Sequence, residues 1–258
     1  MARYRSYMIC TSPRSGSTLL CRLLAATGLA GKPGSHFHAP SVQRWLQSFD
    51  RPTEGYESDL DAVRAAFDAA ITYGTDGTDI FGLRMQRPSF EFFMRQMTAV
   101  FPGYVRDSER IEAAFGPTLF IQLSRQNKLD QAISYVKATQ TGLWHKAPDG
   151  TEIERLSEPR EPFYDSAEIT RQMHTFVGHD AEWSDWFDRQ RIEPLNLTYD
   201  ALSADPTATL ARILQCLGLD SNAARKVTVP VAKLADNTNR IWAQRYLAEQ
   251  DRARATTP

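Results

Sequence analysis

Apolar positions along the chain fall into short uninterrupted runs and into longer stretches spaced for helices. Tyr7–Cys10 is a short apolar run followed by the polar turn SPRSGS. Thr18–Thr27 then sets Leu19, Leu20, Leu23 and Leu24 on one helical stripe, and Gly28 supplies a stop. Asp79–Met85, Thr118–Ser124 ("TLFIQLS") and residues 193–199 ("EPLNLTY") read as further strands. Leu60–Tyr73, Ser89–Phe101, Asn127–Thr141, roughly Ser166–Gln190 and Pro206–Leu217 carry helical spacing, and Gly218 ends the last of them. Strands alternating with helices predict an α/β chain with a P-loop-type nucleotide-binding fold, a central, mostly parallel sheet flanked by helices.

The stretches between these elements predict where the fold departs from regularity. Residues 31–58 are rich in Gly, Pro, Ser, His and aromatics and read as a loop-rich excursion that binds substrate. Residues 145–164 hold several prolines and many charges and read as a mobile surface loop or lid. Residues 251–258 ("DRARATTP") read as a frayed tail. A single domain over residues 1–258 is the expectation for this length.

Composition narrows the class of function. Thirty Lys and Arg against thirty-one Asp and Glu leave a formal charge of −1. No global basic field draws the chain to nucleic acid or to a membrane surface, so an anion site has to be local. Cys10, Cys21 and Cys216 are scattered and odd in number, which predicts neither a zinc site nor a disulfide framework, and no metal. A reduced, cytoplasmic setting is expected. The first apolar run is too short for a secretory signal and no later run reaches bilayer length, so a soluble protein without a transmembrane segment is expected.

The first strand–turn–helix carries the most informative chemistry. Against the nucleotide pattern G-x-x-x-x-G-K-[ST], Thr11 stands in the first Gly position, Gly16 and Thr18 match, and Ser17 replaces the lysine. Such a turn aims backbone N–H groups and a helix dipole at one point, an anion site whatever the ligand. Its cation is Arg14, inside the loop. ATP chemistry ordinarily uses the lysine with Mg²⁺, so a P-loop kinase is disfavoured, whereas a guanidinium and hydroxyls suffice for a donor with one charged bridge. This loop resembles the 5′-phosphosulfate loop of sulfotransferases, a Lys or Arg followed by Ser-Gly-[ST]-[ST]. The donor implied is 3′-phosphoadenosine 5′-phosphosulfate (PAPS), with Pro13, Arg14, Ser15, Gly16, Ser17 and Thr18 in contact with it. Sulfotransferases read the donor's 3′-phosphate with an Arg at the end of a later strand and a Ser nine residues on. Arg125 follows "TLFIQLS", and Ser134 stands at that spacing. Arg125 can fork two phosphate oxygens while Ser134 donates a hydroxyl.

With both elements in place the chain resembles the bacterial sulfotransferases that act on carbohydrates, those of the trehalose 2-sulfotransferase and lipopolysaccharide types. The likeness rests on "ICTSPRSGSTLL", "GLAGKP" with "FHAPS", "FGLRM", "RQNKLDQAISYVKATQTGLWH", "WSDWF", "IEPLNLTYDAL" and "ADNTNRIWAQRY". It implies a PAPS-dependent enzyme that sulfates a hydroxyl of a carbohydrate or glycolipid, often as a homodimer. The trehalose enzymes' motif Gly-x-Pro-x-Glu-Phe-Phe places their basic Glu where this chain has Ser35. Serine is a poor base at neutral pH, whereas the flanking His36 and His38 carry rings suited to accept a proton. The resemblance favours His38, because "FHAP" reappears in the lipopolysaccharide type. Ser35, Phe37, Arg84, Gln140 and Trp144 complete the expected acceptor-binding set, with Trp144 offering a face for sugar C–H groups. Arg84 falls where relatives have a lysine, and Asn239 and Arg240 lie in a segment, 233–246, expected to close over a ligand. A non-catalytic homologue that binds the nucleotide is the alternative, prompted by the missing Glu.

Overall fold

The computed structural model describes residues 3–147, 149–228 and 236–256. In chain order the elements begin with β1 (Ser6–Thr11), α1 (Ser17–Ala26), α2 (Val42–Ser48), α3 (Asp59–Thr75), β2 (Phe81–Gln86), α4 (Arg87–Val100), α5 (Asp107–Phe115), β3 (Thr118–Ser124) and α6 (Lys128–Thr141). They continue with β4 (Leu143–Lys146), β5 (Glu152–Arg155), α7 (Ser166–Gln190), β6 (Leu195–Thr198), α8 (Tyr199–Ala204), α9 (Pro206–Leu217), a short 3-10 helix (Ser221–Lys226) and α10 (Asn237–Thr256).

Four strands form a parallel sheet in the order β2-β1-β3-β6, with Met8 level with Leu83 on one side and Phe120 on the other. After β1 the chain places β2 on one side and then β3 on the other, so the winding reverses between β1 and β3. In open parallel sheets, ligands bind beyond the strand C-termini at such a reversal. Every residue of β1 is buried, as a strand covered on both faces requires. Alternation divides its side chains: Met8 and Cys10 join Leu83, Met85 and Phe120 in a core closed by α3, α4 and α5. Tyr7 and Ile9 join Ile121, Leu123 and Leu197 in a second core closed by α1 and α9.

A single domain is the expectation from length, but the chain divides into two compact units. The first holds everything to Ser124 and the residues from Asp180 through the 3-10 helix, and contains the parallel sheet and both cores above. The second holds Arg125–His179 and α10, built around Ile133, Val136, Ile169, Phe176, Trp242 and Tyr246.

Regular structure occurs within three segments expected to be irregular. The excursion at 31–58 contains α2, started by the Ser41 hydroxyl accepting from the Arg44 N–H and anchored by buried Trp45 and Leu46. The expected lid at 145–164 overlaps an antiparallel hairpin, β4 with β5, braced where Arg155 Nη1 donates to the Thr141 carbonyl (2.7 Å). Residues 251–256, expected to fray, continue α10, and the last two residues lie outside the described ones. Among the described residues no helix is long and apolar enough to cross a membrane.

Candidate functional site

The turn between β1 and α1 is built by its backbone. Arg14 (φ 63°) and Gly16 (φ 87°) both lie in the left-handed region, and such alternation turns successive N–H groups toward one side. Gly16 is the only residue type the packing admits there, since an added Cβ would stand 2.6 Å from the Tyr199 ring. Arg14 has no such dispensation, and its left-handed backbone costs on the order of 1 kcal/mol, offset by the surrounding loop.

Hydroxyls brace the turn from beneath. Thr11 Oγ1 donates to the Leu123 carbonyl on β3 (2.7 Å) and lies 2.5 Å from Ser15 Oγ. A hydroxyl has one proton, so Ser15 is the donor in the second bond. Ser15, fully buried, therefore spends its hydroxyl proton on the loop. The Thr11 carbonyl accepts from the Trp183 indole (3.0 Å), which closes the end of β1. Helices α2 and α3 are capped by the side chains of Ser41 and Ser58, but α1 has no capping side chain and no acid in its first turn. Within the helix itself, then, no side chain offsets its positive pole.

Beside this turn the segment after α1 runs along the open edge of β2. Gly31 (φ 67°) passes so close to the Gly74 and Ile80 carbonyls that an added Cβ would overlap them. Gly34 then bridges to Leu83, its carbonyl accepting the Arg84 N–H (2.9 Å). The next residues turn tightly, with the His38 N–H donating to the Ser35 carbonyl (3.2 Å) and Ser89 Oγ donating to the His38 carbonyl (2.7 Å).

This turn sends its side chains in different directions. His36 is 6% exposed, among the rings of Phe49, Tyr73 and Phe81, with Nε2 bonded to the Gly82 carbonyl (3.1 Å). Burial pulls its imidazole from the ordinary 6.5 down to about 4, outweighing the carbonyl that favours the charged form. Phe37, expected to line the acceptor site, is instead a core residue, 1% exposed and stacked on Phe93, because its side chain points under the turn toward Trp45 and Phe67. His38 is exposed. Arg84, reaching across from β2, donates from Nε to Ser35 Oγ and from Nη1 to Thr18 Oγ1, each at 2.8 Å.

In the second unit, Arg125 follows β3 directly, mostly buried and 3.7 Å from Asp130, and Ser134 lies half-buried on α6. Gln140 Oε1 accepts the Phe163 N–H (2.9 Å), which ties down the segment after the hairpin. Trp144 is half-buried on β4, edge-on to Tyr135. Asn239 accepts from Lys137 Nζ (3.1 Å) and Arg240 donates to Asn237 (2.7 Å), so both are engaged at the start of α10. Residues 233–235 of the segment expected to close over a ligand lie outside the described ones.

Residues 6–249 match the family described as Stf0 sulphotransferase. The chain belongs to that family. Two curated relatives are similar over nearly all of their length. The trehalose 2-sulfotransferase of Mycobacterium tuberculosis is 25% identical over 268 residues, 96% of each chain. The enzyme of that name from Mycolicibacterium smegmatis is 26% identical over 266 residues, again 96% of each. Among solved structures, a sulfotransferase from Alicyclobacillus acidocaldarius aligns over 94% of this chain and 91% of its own, with a TM-score of 0.43 and 15% identity. Membership of the Stf0 family covers both units. Trp183 and Tyr199 lie in stretches that carry the family likeness, but what they and Ser89 do in shaping the site could not be read there, because each acts on a residue far away in the chain.

Proposed function

We propose that this member of the sulfotransferase family moves a sulfuryl group from PAPS to a hydroxyl of a carbohydrate or glycolipid. The observation that carries the reading is the β1–α1 turn: an uncapped helix N-terminus without acids, entered through left-handed Arg14 and Gly16. Arginine, backbone N–H groups and the helix pole are all donors or positive, which suits an acceptor-only oxyanion and fits the donor's 5′-phosphosulfate. When bound, PAPS supplies the sulfuryl group on a phosphate leaving group.

Arg14 and the N–H groups of the turn hold that phosphate and balance the charge that grows on it as the sulfuryl group departs. Arg125 and Ser134 take the 3′-phosphate, a role supported by their spacing after β3. His38 accepts the proton of the attacking hydroxyl. It is exposed where His36 is buried, and a ring held neutral to about pH 4 with Nε2 committed to Gly82 is a poor base. Ser35, Arg84, Gln140 and Trp144 remain proposed acceptor contacts. The trehalose activity of the named relatives makes a sugar the first acceptor class to screen. The reaction is assigned to the cytoplasm on the scattered cysteines and to a homodimer on the family likeness.

Calorimetric titration with 3′-phosphoadenosine 5′-phosphate (PAP), without Mg²⁺, tests the donor site. Low-micromolar or tighter binding by wild type, weakened at least tenfold in Arg125→Ala, is the expected result. Absence of binding by wild type overturns the reading.

A further inference from the structure

One side chain links the two halves of the proposed chemistry within the first unit. Arg84 stands on β2 with its backbone N–H on the Gly34 carbonyl and its Nε on Ser35 Oγ, so a single residue grips two consecutive positions of the segment after α1. Its Nη1 reaches Thr18 Oγ1 in the first turn of α1. A guanidinium only donates, so both hydroxyls accept from it. Ser35 thus turns its own proton away from Arg84, which suits a donor to a bound oxyanion and not a base. From Ser35 the connection continues to His38, whose N–H is bonded to the Ser35 carbonyl and whose carbonyl is held by Ser89 at the start of α4.

We infer that Arg84 is a positioning residue that ties the turn carrying His38 to the first turn of α1, so that an anion bound at the loop orders residues 35–38. The inference rests on the sulfotransferase reading of that loop. An anion at the α1 N-terminus restrains Thr18. The planar fork of Arg84, with two N–H groups already fixed by separate hydroxyls, passes that restraint to Ser35. Lysine offers a point charge on a flexible stem and cannot hold both hydroxyls in one geometry. Loading the donor thereby sets the proposed base in place before the acceptor arrives.

The test reads amide hydrogen exchange of residues 35–38 with and without saturating PAP, on wild type, Arg84→Met and Ser35→Ala, alongside calorimetric PAP affinity. PAP is expected to slow exchange at the His38 amide about tenfold in wild type, and that slowing is expected to vanish in both variants. Coupling is reciprocal, so PAP affinity in the variants should fall by no more than the protection factor lost. Ser35→Ala removes one oxygen from a half-buried position and gives the answer even if Arg84→Met does not fold. Undiminished protection in the variants overturns the inference, as does a wild type that binds PAP without protecting residues 35–38. Those two results leave the donor site standing. A wild type that binds no PAP overturns the donor site and the inference together.

Discussion

Replacing His36 by glutamine separates a packing role from a catalytic one. An unfolded chain protonates a histidine near pH 6.5, whereas burial holds His36 in the fold at about 4. Between those values the unfolded state binds more protons, so stability is complete above pH 6.5 and falls as pH drops toward 4. At about 1.4 kcal/mol per pH unit, the whole gap is worth roughly 3 kcal/mol, and about 2 kcal/mol of it is lost by pH 5. Glutamine does not titrate, yet its amide N–H can still serve the Gly82 carbonyl that His36 Nε2 contacts. Urea unfolding of wild type and His36→Gln at pH 5, 6, 7 and 8 isolates this contribution, because every other titrating group is common to both. The stability of wild type relative to the variant should fall by about 2 kcal/mol from pH 8 to pH 5 with unchanged m values. A difference that stays flat across this range refutes the buried, neutral assignment.

The other expectations are direct. His38→Ala should lower turnover with PAPS and a responsive sugar by on the order of 10²-fold or more while PAP affinity, read by calorimetry, is kept. Phe37→Ala should cost about 3–5 kcal/mol in urea unfolding, as deletion of a ring stacked among Trp45, Phe67 and Phe93 does; a stable variant deficient only in acceptor binding would restore Phe37 to the site. Gly16→Ala, at φ 87° with a Cβ 2.6 Å from Tyr199, should lower the melting temperature more than Gly28→Ala, whose Cβ meets nothing within 4 Å. Equal losses in thermal denaturation would count against the close approach at Gly16.

Strand β3 and helices α7 and α9 have the bounds their patterns predict, because each carries its own period and stop: seven apolar-rich residues in β3, Gly218 after α9. The β1–α1 turn was legible for the same reason, as its chemistry lies within one contiguous stretch. Helix α5 was not. Its nine residues bury only Ser108, Ile111 and Phe115 beneath a charged surface, too few apolar positions to show a period. Helix α10 is likewise mostly polar, and Trp242 and Tyr246 settle it by packing against Ile169 and Phe176 within the second unit.

The two histidines show where local pattern stops. His36 and His38 are two residues apart in one polar, aromatic stretch, and nothing in that stretch says which faces inward. The choice is made largely by distant residues: Gly74 leaves room for the His36 ring, Phe81 and Tyr73 wall it, and Gly82 offers it a carbonyl. Arg84 likewise was visible as a cation where relatives have a lysine, but its partners Thr18 and Ser35 lie 66 and 49 residues away. Periods, caps and motif spacing act within a turn or a strand, so they are written along the chain. Which ring is desolvated and which hydroxyl meets which guanidinium depends on how β2 seats against the segment after α1, and only the assembled fold brings those atoms within hydrogen-bonding distance.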